Sequence, residues 1–325
     1  MRLAEWPNGW YVEEGIGEER AVLVDGGEAI AARVRWPGRL EAGLVEDAVL
    51  SYRNGGTRRG TARFANDEHA LVDGLPRDAN EGATLRLEIT RSGMAEYDRD
   101  KLAHARPSDR PVQAAPSLAT VLGARVVASF PPGIWEDVVA DASHRKRDFV
   151  GGLLIVSLTP AMTVIDIDGA LPPRELALAA VPALALAIRR MDLAGSIGID
   201  FPTLPDKTDR RAVDVALDIA LADWPHERTA MNGFGFVQLV ARLERPSLAA
   251  LFRRPRDEAF ARVLLRKAER IAEPGALMLC ASDAVRQCIQ GAREAELARR
   301  TGRMIVWSED SPDFAEFTAV QAVPL

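Results

Sequence analysis

The stretch from Gly151 to Phe201 limits what this chain can fold into more than any other. It holds three short β-branched pieces: Gly-Gly-Leu-Leu-Ile-Val-Ser-Leu-Thr (Gly151 to Thr159), Met162-Thr163-Val164-Ile165-Asp166-Ile167-Asp168-Gly169, and Gly195-Ser196-Ile197-Gly198-Ile199-Asp200-Phe201. Each is apolar and bounded by Gly or Pro, the signature of buried strands. An unpaired carboxylate is costly to bury, yet two of these pieces end in one. A site at the carboxyl edge of a sheet is the economical explanation. Asp166 and Asp200 then meet across neighbouring strands, and Asp168, two residues beyond Asp166, shares its face. Carboxylates held together repel at neutral pH unless a cation sits between them, and all-oxygen ligation suits a hard ion, Mg²⁺ or Mn²⁺. The plainer reading, which spacing alone favours, has each Asp cap the turn that follows it.

At 325 residues the chain is too long for one small core, which predicts about two to four domains. The net charge of -6 argues against a nonspecific polycation but leaves room for local basic patches. Cys280 and Cys288 match neither a CxxC zinc site nor a disulfide framework, so a reducing cytoplasm is the expected compartment. Met1 to Glu14 lacks the apolar centre of a signal peptide. The longest apolar run, Leu176 to Ile188, is too short to span a bilayer and contains Pro182. A soluble protein with no membrane partner is expected.

The chain opens with β structure. Ala21 to Val24, Asp25-Gly26-Gly27 and Glu28 to Trp36 predict a hairpin, because Asp-Gly supplies the positive φ of a tight turn. Gly43 to Arg53, a turn at Asn54-Gly55-Gly56, Thr57 to Phe64, Ala70 to Val72 and Thr84 to Arg91 predict a small β-domain. An OB-type barrel, a common binder of single-stranded nucleic acid, is one form such a domain takes. Tyr52 and Phe64 are its candidate stacking aromatics, and core packing accounts for them equally well. Tyr97 to Pro116 is polar with three prolines and reads as a linker or exposed loop. Leu118 to Phe130 suits a buried element and Ile134 to Ala142 a helix.

Arg174 to Arg190 has helical composition that Pro182 should break, kink or restart. Lys207 to Ala222 is an amphipathic helix, so strand, helix, strand, helix predicts an α/β layer with parallel pairing. Phe234 to Val240 is a further strand. Two basic stretches stand out. His144-Arg145-Lys146-Arg147 precedes the central strands, and nine Arg or Lys stand against four acidic residues between Arg242 and Arg270. Each is either a solvated face or a contact with nucleic-acid phosphate, and Arg145, Lys146, Arg147, Arg242 and Arg245 are the candidates for the second role. Ala276 to Ala281, two short helices, Arg303 to Trp307 and Phe317 to Val323 predict a compact α/β module at the end.

The order of these pieces resembles the ribonuclease E/G family of bacterial endoribonucleases. The run from Gly151 to Gly169 is similar to the family's strand pair ending in Ile-Asp-(Ile/Val)-Asn-Ser. Arg-Arg-Met-Asp-Leu-Ala-Gly-Ser-Ile-Gly-Ile-Asp-Phe (Arg189 to Phe201) resembles its Arg-Asp-Leu-Gly-Gly-Leu-Ile-Val-Ile-Asp-Phe. Phe234-Gly235 and Arg-Pro-Ser-Leu (Arg245 to Leu248) resemble its Phe-Gly-Leu and Ser-Pro-Ser-Leu, and Glu18 to Gly26 resembles its first strand.

The resemblance implies an α+β multidomain chain. An RNase H-like layer (1–34, completed within 94–150) would be interrupted by an S1-type OB barrel (35–93) and followed by a DNase I-like catalytic subdomain (151–250) and a small C-terminal α/β domain (251–325). It implies hydrolysis of single-stranded RNA with Mg²⁺ or Mn²⁺, with Asp166 and Asp200 at the family's two metal-ligating positions. Asp168 stands where the family has Asn, which would make three carboxylates. Pro160 replaces a Glu, and Gly233 stands at an Arg position. The region between barrel and central strands is too short for the family's 5′-end sensor, so sensing of 5′-monophosphates is not expected. The family's CPxC motif is absent, so neither zinc nor a zinc-linked assembly is expected, and homo-oligomers of other kinds stay open. A catalytically impaired RNA-binding protein on the same scaffold is the alternative, and a structural module with chance carboxylates is the third reading.

Overall fold

The computed structural model describes residues 5–95, 100–310 and 312–324. A meander opens the chain: β1 (Gly9–Gly15), β2 (Glu18–Asp25) and β3 (Glu28–Arg35) pair antiparallel. Gly26 and Gly27, at φ of 56° and 81°, form the turn between β2 and β3, a conformation that a side chain with a Cβ rarely adopts.

The chain then leaves this sheet and closes a barrel. Its strands are β4 (Val45–Arg53), β5 (Arg59–Arg63), β6 (His69–Asp73), β7 (Thr84–Arg91) and, beyond the ribbon of β8 (Met94–Ala95) and β9 (Asp100–Lys101), β10 (Ala103–Pro107). The closed order is β10-β6-β5-β4-β7, with β10 parallel to β6 and antiparallel to β7. Alternate residues turn inward, so Leu50, Ala62, Phe64, Val72, Leu87 and Ile89 fill the interior. The fifth strand is a correction to the sequence reading. It lies past residue 93, inside the polar, proline-bearing segment expected to be a linker, whose first residues, 97–99, lie outside the described ones. The barrel closes only through that strand.

After the barrel, α1 (Leu118–Leu122) and β11 (Arg125–Val127) replace the single buried element expected there. β11 joins β1 in parallel and completes a four-stranded sheet, β11-β1-β2-β3. Helix α2 (Ile134–His144) leads into a second sheet.

That sheet has six strands. The chain supplies β12 (Lys146–Phe149), β13 (Gly152–Leu158), β14 (Thr163–Gly169), helix α3 (Pro173–Arg190), β15 (Gly195–Asp200), helix α4 (Lys207–Ala220), β16 (Glu227–Arg228) and β17 (Phe236–Ala241). Their order is β12-β13-β14-β15-β17-β16, and the β14–β15 pair, joined through α3, is its one parallel neighbour pair among the described residues. Pro182 lies inside α3 without ending it, because Pro173 to Arg190 form one helix. Helices α3 and α4 cover one face of the sheet, where Leu154, Ile165, Ile167, Ile197, Ile199 and Val237 are buried with Leu184, Ile188, Val213 and Leu217. The residues between them in sequence emerge on the opposite face, where no helix of this layer lies among the described residues.

The chain ends with α5 (Leu248–Leu251), α6 (Arg256–Glu269), β18 (Ala276–Cys280), α7 (Asp283–Ile289), α8 (Ala292–Thr301), β19 (Ile305–Trp307) and β20 (Ala319–Val323), the strands in the order β19-β18-β20. One apolar cluster runs through this end and the first sheet, joining Val22, Val24, Phe130 and Trp135 to Phe260, Leu264, Leu277 and Leu297. The fold is mixed α/β with a closed five-stranded barrel and, among the described residues, eight helices. No helix among them is long and apolar enough to cross a membrane.

A carboxylate pair on the open sheet face

Register decides where the aspartates go. In the parallel pairing of β14 with β15, Ile165 lies opposite Ile199 and Asp166 opposite Asp200. The isoleucines face the helices and are fully buried, so their neighbours must face away. Asp166 and Asp200 are both exposed, on backbones about 4.8 Å apart. Among the described residues neither side chain makes a hydrogen bond or ion pair, and the same holds for the Asp168 side chain. The turn-capping reading therefore has no hydrogen bond to support it. Two like charges stand side by side with no basic group tied to them.

Asp168 shares their face but lies one register step farther on, opposite Leu153 of β13 and past the end of β15. No group of three or more His, Cys, Asp or Glu side chains among the described residues is placed to hold a metal ion. The three-carboxylate cluster expected from the sequence is thus a pair with a third acid alongside.

Apolar side chains surround the pair. Leu153, Ile155, Val164 and Phe236 are half-buried on the open face. Gly198 lies one pair away from Asp200 on the same face, and a Cβ there would come within 2.5 Å of the Phe236 ring and 3.0 Å of the Met162 sulfur. The ring and the thioether therefore close over the glycine beside the carboxylates.

The basic candidates separate. Lys146 is exposed, and it stands in the same row as the pair: Lys146 opposite Ile155, Ile155 opposite Asp166, Asp166 opposite Asp200. Two strand spacings, about 10 Å, divide its backbone from that of Asp166. Arg147 faces the helices instead, where it and Arg190 grip Asp141 at 2.7 and 3.0 Å. Arg245 holds Asp192 through two bonds, of 2.6 and 3.2 Å; burial pushes the guanidinium pKa down, but Asp192 and Glu244 together outweigh it and raise it. Each is already engaged by a carboxylate, so these arginines tie elements of the fold together where free phosphate contacts were expected. Arg242 is exposed beside Glu244 at 3.2 Å. Arg145 caps α2 in the left-handed region; burial lowers its pKa, and Arg253 and Arg256 lower it further. The basic surplus on α6 is also largely internal, because Arg262 and Arg266 are buried.

The barrel carries a second surface of interest. Tyr52, Thr61, Leu71, His104 and Arg91 are successive partners across five strands and form one row around its outside. Tyr52 is 56% exposed, whereas Phe64 is buried in the barrel core, so only the tyrosine can meet a ligand. Burial lowers the His104 pKa, and Arg91 lowers it further against the opposing pull of Asp73. His104 and Arg91 escaped the sequence reading because their place in the row exists only once β10 is known to be a strand.

A cavity of about 590 Å³ lies between barrel and body, with Arg39, Glu41, His69, Lys101 and Arg254 in its wall. None of the three aspartates lines it. The architecture and site thus define a mixed α/β protein with a closed barrel and an open sheet face bearing a paired carboxylate site. No protein-family model matches the chain, and no curated protein matches it either.

Proposed function

We propose that this protein is a divalent-metal-dependent endoribonuclease that hydrolyses single-stranded RNA, of the ribonuclease E/G type and without 5′-monophosphate sensing. The observation that carries the reading is the alignment of Asp166 with Asp200 on an exposed face, with no basic side chain paired to either among the described residues. Two carboxylates fit Mg²⁺ or Mn²⁺, which keep several waters and take substrate phosphate oxygens as further ligands. Such an ion would supply positive charge at a phosphate oxygen and lower the pKa of an attacking water. Asp166 and Asp200 would hold it. Lys146, in the same row, would receive a neighbouring phosphate.

The layers support the same reading. A meander joined in parallel by β11 is compatible with an RNase H-like layer, and the barrel's strand order with an OB-type insertion. The six-stranded sheet with helices on one face is compatible with a DNase I-like subdomain. The barrel row from Tyr52 to Arg91 offers an aromatic ring and a cation to an unpaired strand, as single-stranded nucleic acids require.

A second reading, an RNA-binding protein that does not cut, is favoured by the displacement of Asp168 from the pair. Incubation of end-labelled, AU-rich single-stranded RNA with the protein in Mg²⁺, in Mn²⁺ and in excess chelator separates the two. Cutting that stops with chelator supports the nuclease, and binding with no cutting in either metal supports the second reading.

A further inference from the structure

Phe234 is 82% exposed, the most of any phenylalanine among the described residues. Looseness does not explain it. The Asn232 side-chain oxygen accepts hydrogen bonds from the backbone N–H groups of Phe234 (2.9 Å) and Phe236 (3.1 Å), while the Asn232 N–H donates to the carbonyl of Phe236 at 3.1 Å. The Gly235 N–H donates back to the Asn232 carbonyl at 3.2 Å. Gly235 has φ +90°, and a Cβ there would lie 2.4 Å from the Phe201 carbonyl oxygen, so this turn accepts glycine alone. A tightly bonded loop thus holds a phenyl ring out in water.

The Gly235 carbonyl accepts from the N–H of Phe201, the residue after Asp200, and Phe236 is the strand partner of Asp200. Phe234 therefore rises from the turn at the end of β15 where the carboxylate lies, two residues along the chain from the partner of Asp200. Beside it, Gly233 has no atom within 4 Å of where a Cβ would stand, which leaves the ring's approach open. An exposed aromatic face held rigid next to an anionic site suits a flat, π-rich group attached to a phosphate.

We infer that Phe234 is a stacking platform for a nucleobase of single-stranded RNA, and that it fixes the nucleotide beside the scissile phosphate at Asp166 and Asp200. The inference rests on the nuclease reading above. A phenyl ring offers a π-face to every base, so the platform sets position and not sequence preference. Among the described residues Phe234 belongs to no apolar core cluster, so truncating it should leave the fold unchanged.

The test uses the full chain with Phe234→Ala, Phe234→Trp and wild type, on a short single-stranded RNA with Mg²⁺. For Phe234→Ala, KM rises about 5- to 150-fold while thermal melting is unchanged, and Phe234→Trp restores the wild-type value. In chelator, where nothing is cut, Phe234→Trp shows fluorescence quenching by the RNA beyond that of wild type. If wild type cuts RNA and Phe234→Ala cuts it with the same KM, or if the added tryptophan is not quenched, the platform is wrong and the nuclease reading stands. If wild type neither binds nor cuts the RNA, the nuclease reading and the platform fail together.

Discussion

Arg266→Ala tests the packing of the chain's two ends most sharply. Arg266 is 3% exposed on α6, and its guanidinium reaches Glu13 of β1 at 2.8 and 3.4 Å and Glu136 of α2 at 2.5 Å. Three segments far apart in sequence meet on this one group. Removing one partner of a buried ion pair typically costs about 3–5 kcal/mol, because the other charge is left behind. Glu13 keeps Arg20 at 3.2 Å and the Phe130 N–H at 2.6 Å, so the lower end, about 3 kcal/mol, is expected. Urea unfolding followed by tryptophan fluorescence reads this directly, since Trp6, Trp36 and Trp135 lie in the same core cluster. With a slope of roughly 3 kcal/mol/M, the midpoint falls by about 1 M. The pH dependence adds a sign. Burial pushes the Glu136 carboxyl up, but Arg266 and the N–H groups at the start of α2 outweigh it and hold the group below its ordinary value. Its contribution is present above about pH 4.5 and is lost as pH falls through the lower folded value, and Arg266→Ala weakens that acid-side loss. A midpoint shift worth less than about 1 kcal/mol, the size of a surface ion pair, would refute the reasoning.

Three further outcomes follow from the same geometry. Lys146→Ala weakens binding of single-stranded RNA and lowers the salt slope by about one, whereas Arg245→Ala leaves the slope unchanged and lowers stability; nitrocellulose binding over a salt series checks both. Gly235→Ala forces a Cβ against the Phe201 carbonyl, so melting temperature and cutting both fall, in contrast to Phe234→Ala, which spares the melt. Hydrogen bonds from Arg299 and Arg300 hold the Glu296 carboxyl at about 2. A carboxyl-carbon NMR titration should show that value rising toward the ordinary 4.5 in Arg299→Ala, whereas the wild-type carboxylate takes up its proton only as pH falls toward about 2.

The paired aspartates were legible because a β-strand has period two. Once β14 and β15 are parallel neighbours carrying an acid at matching depth, the register follows from the buried isoleucines. The hairpin at Asp25-Gly26 was legible for a similar reason, since local turn chemistry specifies it. Strand β10 was not. Ala-His-Ala-Arg-Pro has little β-propensity, and only pairing with strands distant in sequence makes it a strand. Pro182 does not break or restart α3, because burial of Val181, Leu184 and Ala185 against the sheet outweighs one missing hydrogen bond. Charge counting failed most plainly. Arg147, Arg245 and Arg266 appear in sequence as part of a basic surplus, yet each is held by a carboxylate that the sequence does not place beside it.

The central claim is that Asp166 and Asp200 together hold the ion that makes this sheet face a nuclease. Cleavage rate of an end-labelled single-stranded RNA in Mg²⁺, compared between wild type and Asp200→Asn, measures it most directly. Loss of one of two protein ligands should remove several kcal/mol of transition-state stabilisation, on the order of a thousandfold in rate. A wild-type rate that chelator abolishes and that Asp200→Asn lowers by that factor is the predicted result, and equal rates in the two proteins would contradict the account.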